Sequence, residues 1–238
     1  MRPAVEQVLS EGPSQVNGRS RITVIRNAIE TGQFRSVDKA AAKAAVGIDS
    51  REPLLVIAAN LAPHKGQETA LRTVAALKSN GVRTRLLLAG QEREGGGRYL
   101  AELQRMASEL RITDCVEFLG FRNDVPKLLA AADFFLLPST SEGLPLSILE
   151  AQAAGAIAVA APTAGIPEIV EHGKSGFLVP HADYEGYARC IARMLANPHE
   201  AESIRAAARD NVHSNHDATS YCARVMEAYW TLLDSGRH

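Results

Sequence analysis

Two carboxylates, Glu142 and Glu150, bracket Gly143-Leu144-Pro145-Leu146-Ser147-Ile148-Leu149, and their setting suits an anion flanked by hydroxyls. The apolar run Phe134-Phe135-Leu136-Leu137 gives way to the small polar loop Pro138-Ser139-Thr140-Ser141, and a helix is predicted to open at Pro145. The free N–H groups of such a start attract an anion. One carboxylate before the helix and one inside it would accept hydrogen bonds from hydroxyls on either side of that anion. A nucleotide sugar has this order of groups. The helix dipole alone gives an anion only about 0.3–2 kcal/mol, so a diphosphate also requires a cation. Lys65 is the candidate: it follows the apolar run 54–59 through Asn60-Leu61-Ala62-Pro63-His64 and precedes Gly66.

The same residues admit plainer readings. Ser139 with Glu142, or Ser147 with Glu150, fits the S-x-x-E box that secures a helix start. Lys65 taken singly reads as a solvated loop lysine. His64 has no evident carboxylate partner and reads as a neighbour rather than a catalyst. Glu92-Arg93-Glu94-Gly95-Gly96-Gly97-Arg98 looks like a phosphate loop, but its acids would repel phosphate and the G-x-G-x-x-G spacing is absent, so a turn is expected. Gly165-Ile166-Pro167-Glu168 and Gly173-Lys174-Ser175-Gly176 can both serve structure alone. No Ser-His-Asp, Cys-His, H-E-x-x-H or metal-ligand pattern emerges.

The elements that must position these residues follow from periodicity. Apolar runs at 22–25, 54–59, 85–89, 116–119, 134–137, 157–160 and 176–179 alternate with helical patterns such as 68–78 and 99–110. Strand and helix in alternation imply an α/β fold with a parallel sheet covered on both faces. Ligands of such sheets bind beyond the carboxyl ends of the strands, where both candidate loops fall. Residues 1–20 read as a polar lead-in, and after Pro180 the pattern is helical at 184–195, 201–212 and 219–233. With 238 residues, 46% hydrophobic, there is enough chain for one large core. A net charge of -1 gives no bulk case for nucleic acid. Three scattered cysteines, no h-region and no apolar run of the roughly 20 residues that span a bilayer make the cytoplasm the expected compartment.

Taken in order and spacing, several segments resemble the carboxyl-terminal, donor-binding half of the retaining GT-B glycosyltransferases known as glycosyl transferases group 1. They are Val24-Ile25-Arg26-Asn27-Ala28-Ile29-Glu30 with Phe34, the 60–66 loop, Phe118-Leu119-Gly120, Leu128-Leu129-Ala130-Ala131-Ala132-Asp133, the paired-glutamate stretch, Gly165-Ile166-Pro167-Glu168-Ile169-Val170, and Gly173 to Pro180. The resemblance implies a Rossmann-like three-layer αβα sandwich, with residues 1–20 the remnant of an amino-terminal domain, 21–215 the nucleotide-sugar-binding domain and 216–238 a crossing helix and tail. It implies a metal-independent hexosyl transfer in polysaccharide or glycolipid synthesis, with a nucleotide-diphosphate sugar as co-substrate, a UDP-sugar before a GDP-sugar, and no cofactor.

By the same resemblance Lys65 holds the diphosphate, and the N–H groups of Gly143, Leu144 and Leu146 cradle its distal end. Glu150 accepts from the ribose and Glu142 from the transferred sugar, while Gly120, Phe121, Arg122 and Asn123 frame the base. Asn60 completes the donor set, and Lys65 and Glu142 are the implied catalytic residues. A donor phosphate oxygen takes the acceptor's proton, so no protein nucleophile is needed. The acceptor, a glycan or lipid-linked sugar, would be contacted by the other domain, and the whole protein could lie against the inner face of a membrane.

The chain departs from the family pattern in three places. Asn60 stands where many members have arginine, which removes a charge-assisted contact of about 1.5–3 kcal/mol. Ala28 replaces a glycine, and the amino-terminal domain has no counterpart. The tail shows a wide apolar face of Tyr221, Val225, Ala228, Tyr229 and Leu232, extended by Cys222, Met226, Trp230 and Leu233, so it is expected to be covered in an intact protein and exposed or self-paired here. Two other expectations remain open at this level: a stand-alone nucleotide-sugar-binding regulatory module, and a nucleotide-sugar 2-epimerase of the same architecture.

Overall fold

A computed structural model describes residues 24–34 and 38–235 and contains six strands: β1 (Leu54–Ala58), β2 (Arg85–Ala89), β3 (Val116–Gly120), β4 (Phe134–Leu137), β5 (Ile157–Ala160) and β6 (Gly176–Leu178). All pair in parallel, in the order β3-β2-β1-β4-β5-β6. The nine α-helices among the described residues are α1 (Lys39–Ala45), α2 (Gln67–Ser79), α3 (Arg98–Glu109), α4 (Val125–Ala131), α5 (Leu146–Ala153), α6 (Ile166–Ile169), α7 (Tyr184–Ala196), α8 (Pro198–Asn215) and α9 (Ala218–Ser235). No helix of the described residues is long and apolar enough to cross a membrane.

Continuous apolar strands such as Leu54-Leu55-Val56-Ile57 occur because both faces of the sheet are covered. Alternate residues feed different cores. Leu55, Ile57, Leu86, Leu88, Phe134 and Leu136 pack with Leu71 and Leu77 of α2, Leu103 of α3 and Tyr187 and Ile191 of α7. Leu54, Val56, Leu87, Phe135 and Leu137 pack on the other face with α1, α4, α5 and α6. The long helix α8 serves both, giving Ala201 and Ile204 to the first core and Val212 to the second.

The central strands β1 and β4 are fastened at their amino ends by Asp133. Its Oδ2 accepts from the Leu54 N–H at 2.9 Å and faces Lys43 Nζ at 2.7 Å. Lys43 is nearly buried and also donates to the carbonyls of Ser50 and Glu52. Lys39 donates to the carbonyls of Ala132 and Gly155, just past α4 and α5, where a cation suits the helix ends. Burial, helped by Arg205, Lys43 and Arg209 and opposed by Asp133, lowers the Lys39 pKa to about 8.

No strand forms over the described part, Val24 and Ile25, of the run expected at 22–25. Ile22 and Thr23 lie outside the described residues, while Val24 and Ile25 carry no strand pairing. Their β-branched side chains supply local preference only; neither edge of the sheet takes them as a seventh strand. The segment instead runs to the junction of α8 and α9, where Ile29 exchanges backbone hydrogen bonds with His216 and Ala218. The remaining expected strands and helices agree with the observed elements to within about four residues at each end. The lead-in 1–20 lies outside the described residues. On α9, Met226, Tyr229 and Trp230 are 53%, 61% and 59% exposed, so the apolar face expected there is uncovered in this structure. The side chains of Leu232 and Leu233 are outside the described ones.

Candidate functional site

The chain runs outward through β1, β2 and β3 and then returns to lay β4 on the opposite side of β1. The loops after β1 and β4 therefore diverge at the point where strand order reverses, which is where parallel sheets open a crevice. Those two loops carry Lys65 and the Glu142 segment. They are 77 positions apart in sequence yet in direct contact.

Their backbones are clasped together. The His64 carbonyl accepts the Thr140 N–H at 2.8 Å and lies 2.9 Å from Ser139 Oγ. Gly66 has φ +74, and a Cβ added there would meet the Pro138 carbonyl oxygen at 2.0 Å, so only glycine permits this approach. The loop after β5 closes the other side: Thr163 Oγ1 donates to the Ser139 carbonyl at 2.9 Å and the Gly165 N–H to the Gly143 carbonyl at 3.0 Å. Asn27 Nδ2 reaches the Leu144 carbonyl at 3.4 Å. Sequence reading missed Ser139, Thr163 and Gly66 as positioners; the glycine immediately after Lys65 was the available signal.

Helix α5 begins at Leu146 with Pro145 at its N-cap and no side-chain cap, so neither S-x-x-E box forms. The N–H groups of Gly143, Leu144 and Leu146 make no hydrogen bond to any described residue. They are the donors an anion requires. Lys65 sits at the end of a 3-10 turn (Pro63–Lys65), with Nζ 2.8 Å from Glu142 Oε1 and side chains 20% and 9% exposed respectively. The solvated-lysine reading is therefore replaced by an ion pair, and the two implied catalytic residues touch one another.

Glu150 is in the second turn of α5 and accepts no hydrogen bond from any described residue. Burial raises its carboxyl pKa above the ordinary range. Such a carboxylate is ready for hydroxyl donors. Gly120 ends β3 at a register shift with φ +64, and it leads to Phe121, 71% exposed, and to Arg122. The Arg122 guanidinium is engaged by Asp124 at 2.8 and 2.7 Å rather than free. Asn60 gives its carbonyl to Gln67 Nε2 and lines a hollow of about 430 Å3 with His64, Glu92 and Tyr99. Glu92 receives the N–H groups of Tyr99 and Leu100, and Gly95, Gly96 and Gly97 all have positive φ, so the 92–98 loop shapes the start of α3. Ala28 needs no glycine, because only Arg111 and Ala164 have positive φ among the described non-glycine residues. A larger groove of about 560 Å3 lies between α6 and α8, away from Lys65, and its Glu171 is paired with Lys174. Among the described residues no cluster of ligand side chains could hold a metal ion.

The family model described as glycosyl transferases group 1 matches residues 38–211. The chain is 34% identical over 196 residues to a D-inositol 3-phosphate glycosyltransferase of Saccharomonospora viridis, covering 80% of this chain and 46% of that protein. It is 33% identical over 184 residues to a GDP-mannose-dependent alpha-(1-6)-phosphatidylinositol monomannoside mannosyltransferase of Mycolicibacterium smegmatis, covering 74% and 47%. The chain thus spans about half the length of the curated relatives it matches. HepE of Anabaena, solved with UDP-glucose, superposes with a TM-score of 0.81 at 26% identity, over 88% of this chain and 57% of HepE. The carboxyl-terminal domain of LpcC from Francisella tularensis superposes with a TM-score of 0.72 at 19% identity, a likeness of fold that covers 80% of this chain and 99% of that domain.

Proposed function

This chain belongs to the glycosyl transferases group 1 family, and from that membership and the geometry of its cleft we propose that it is the nucleotide-sugar-binding half of a retaining, metal-independent glycosyltransferase acting in polysaccharide or glycolipid synthesis. Residues 21–215 are the donor-binding domain and 216–238 a crossing helix and tail. One observation carries the reading. At the strand-order reversal, Lys65 and the uncommitted N–H groups of Gly143, Leu144 and Leu146 come from two loops that are hydrogen-bonded to each other.

In this reading Lys65 and those amides neutralise the diphosphate, the charge that grows as the sugar–phosphate bond breaks. Dry, fixed donors aimed at developing charge contribute several kcal/mol to a barrier. Glu150 accepts from the ribose, Glu142 from the sugar, and Phe121 and Arg122 with Gly120 frame the base. The relatives add support: one is named for GDP-mannose, and HepE was solved with UDP-glucose. A UDP-sugar is the first choice. The acceptor, a glycan or lipid-linked sugar, belongs to a second domain, so the chain alone binds donor without transferring it.

Titrating UDP, GDP and ADP by calorimetry against the wild type and Glu150→Ala tests this. The expected result is binding of one nucleotide, weakened about tenfold to a hundredfold by the substitution, as for a charge-assisted hydrogen bond of about 1.5–3 kcal/mol. Binding that ignores Glu150, or no binding of any of the three, refutes the assignment.

A further inference from the structure

The pairing of Lys65 with Glu142 was not foreseen from the sequence, and it alters how the cleft must work. The ammonium needed for a diphosphate is already held by a carboxylate 2.8 Å away. Glu142 is 9% exposed, and among the described residues its side chain receives a hydrogen bond only from Lys65. Drawing Lys65 toward phosphate removes that donor and places further negative charge near the carboxylate. An almost buried carboxylate left unpaired beside an anion is unfavourable.

A bare nucleoside diphosphate has no group near its terminal phosphate that could donate to Glu142. A nucleotide sugar does, because its hydroxyls lie just beyond that phosphate and can take the place of the ammonium. Resting on the donor-site reading above, we propose that Glu142 is a specificity gate: it masks Lys65 in the empty cleft and yields it fully only to a nucleotide that brings sugar hydroxyls in exchange. Intact donor is favoured over the nucleoside diphosphate that transfer leaves behind. The loops need not move, since their backbones are clasped through His64, Ser139 and Thr140. The exchange is made by side chains.

The test compares UDP, UDP-glucose, GDP, GDP-mannose and inorganic pyrophosphate as ligands of the wild type and of Glu142→Gln. The uncharged isostere should bind the matching nucleoside diphosphate and pyrophosphate about tenfold more tightly, because Lys65 no longer has to leave a carboxylate to reach phosphate, while the sugar nucleotide gains nothing or weakens. The preference for intact donor should shrink accordingly. In a Lys65→Met background the same substitution should give no gain for pyrophosphate, which separates unmasking of Lys65 from a general loss of negative charge. Unchanged or weaker diphosphate binding by a folded Glu142→Gln, with wild-type binding intact, overturns the gate and leaves the donor site standing. A gain that persists in the Lys65→Met background also overturns it. Absence of binding by the wild type to every probe overturns the donor site and the gate together.

Discussion

Glu150 is held in a state that the protein alone does not favour. Its carboxyl pKa is raised by burial, and no described residue donates to it. For an acid whose folded pKa exceeds its unfolded value, the folded state keeps the proton longer, so stability from this group rises as pH falls and is lost above the folded pKa. Glu150→Gln should therefore raise the melting temperature at neutral pH, with little change well below the ordinary carboxylate range, while it weakens nucleotide binding. A lower melting temperature at pH 7 would show that the charge is satisfied in some other way. Ala164 illustrates strain nearby. Its φ of +48 is left-handed, which costs an L-residue about 1–2 kcal/mol, whereas glycine adds about 0.5–1 kcal/mol of unfolded-chain entropy. Ala164→Gly should stabilise by about 0.5–1 kcal/mol in denaturant unfolding. The placement of Lys65 and Glu142 in loops after strands, and of Glu150 early in a helix, was legible from the apolar runs before them. Their contact was not, since nothing local in residues 60–66 reveals that β4 will lie beside β1.

Among the elements, strand and helix periods were readable wherever the run was long. The helices at 67–79, 98–109 and 184–196 bury one face each, and the strands are apolar apart from Arg85 in β2 and Glu117 in β3. Short pieces were harder. Helix α4 has only seven residues, and α1, Lys-Ala-Ala-Ala-Lys-Ala-Ala, has no large apolar side chain to set a stripe. What positions α1 is a lysine, and burial of Lys43 could not be read from its type. Lys43 and Asp133 join α1 to the starts of β1 and β4, so removing Lys43 takes the close ammonium from a mostly buried carboxylate and leaves it the Leu54 N–H and Lys39 at 3.9 Å. Lys43→Met should cost about 3–5 kcal/mol in denaturant unfolding. A cost under about 1 kcal/mol, the range of surface pairs, would mean that water solvates this pair.

For the molecule as a whole, the parallel sheet, its covering on two faces and the family were all legible from the ordered motifs. Of the strand expected at 22–25, the described residues Val24 and Ile25 join no sheet, because β-branched residues signal a preference and not a neighbour. The uncovered face of α9 belongs to this scale as well. Trp230 is the single tryptophan and is 59% exposed, so its emission should be that of a solvated indole and be readily quenched by iodide in dilute solution. A blue shift that grows with protein concentration would report pairing of that face between copies. Emission already blue and unquenched at nanomolar concentration would contradict the exposed helix.

The carbonyl of His64 has a larger consequence than its single atom suggests. By receiving both a main-chain and a side-chain hydrogen from the neighbouring turn, it welds the turns after β1 and β4 into one stiff block. Ordering of that block is completed when the domain folds, so any ligand of the crevice meets a main chain that is already set. Evolutionary change in ligand preference is then directed to the side chains on the block's rim, where a residue such as Asn60 can be exchanged without disturbing the floor beneath it.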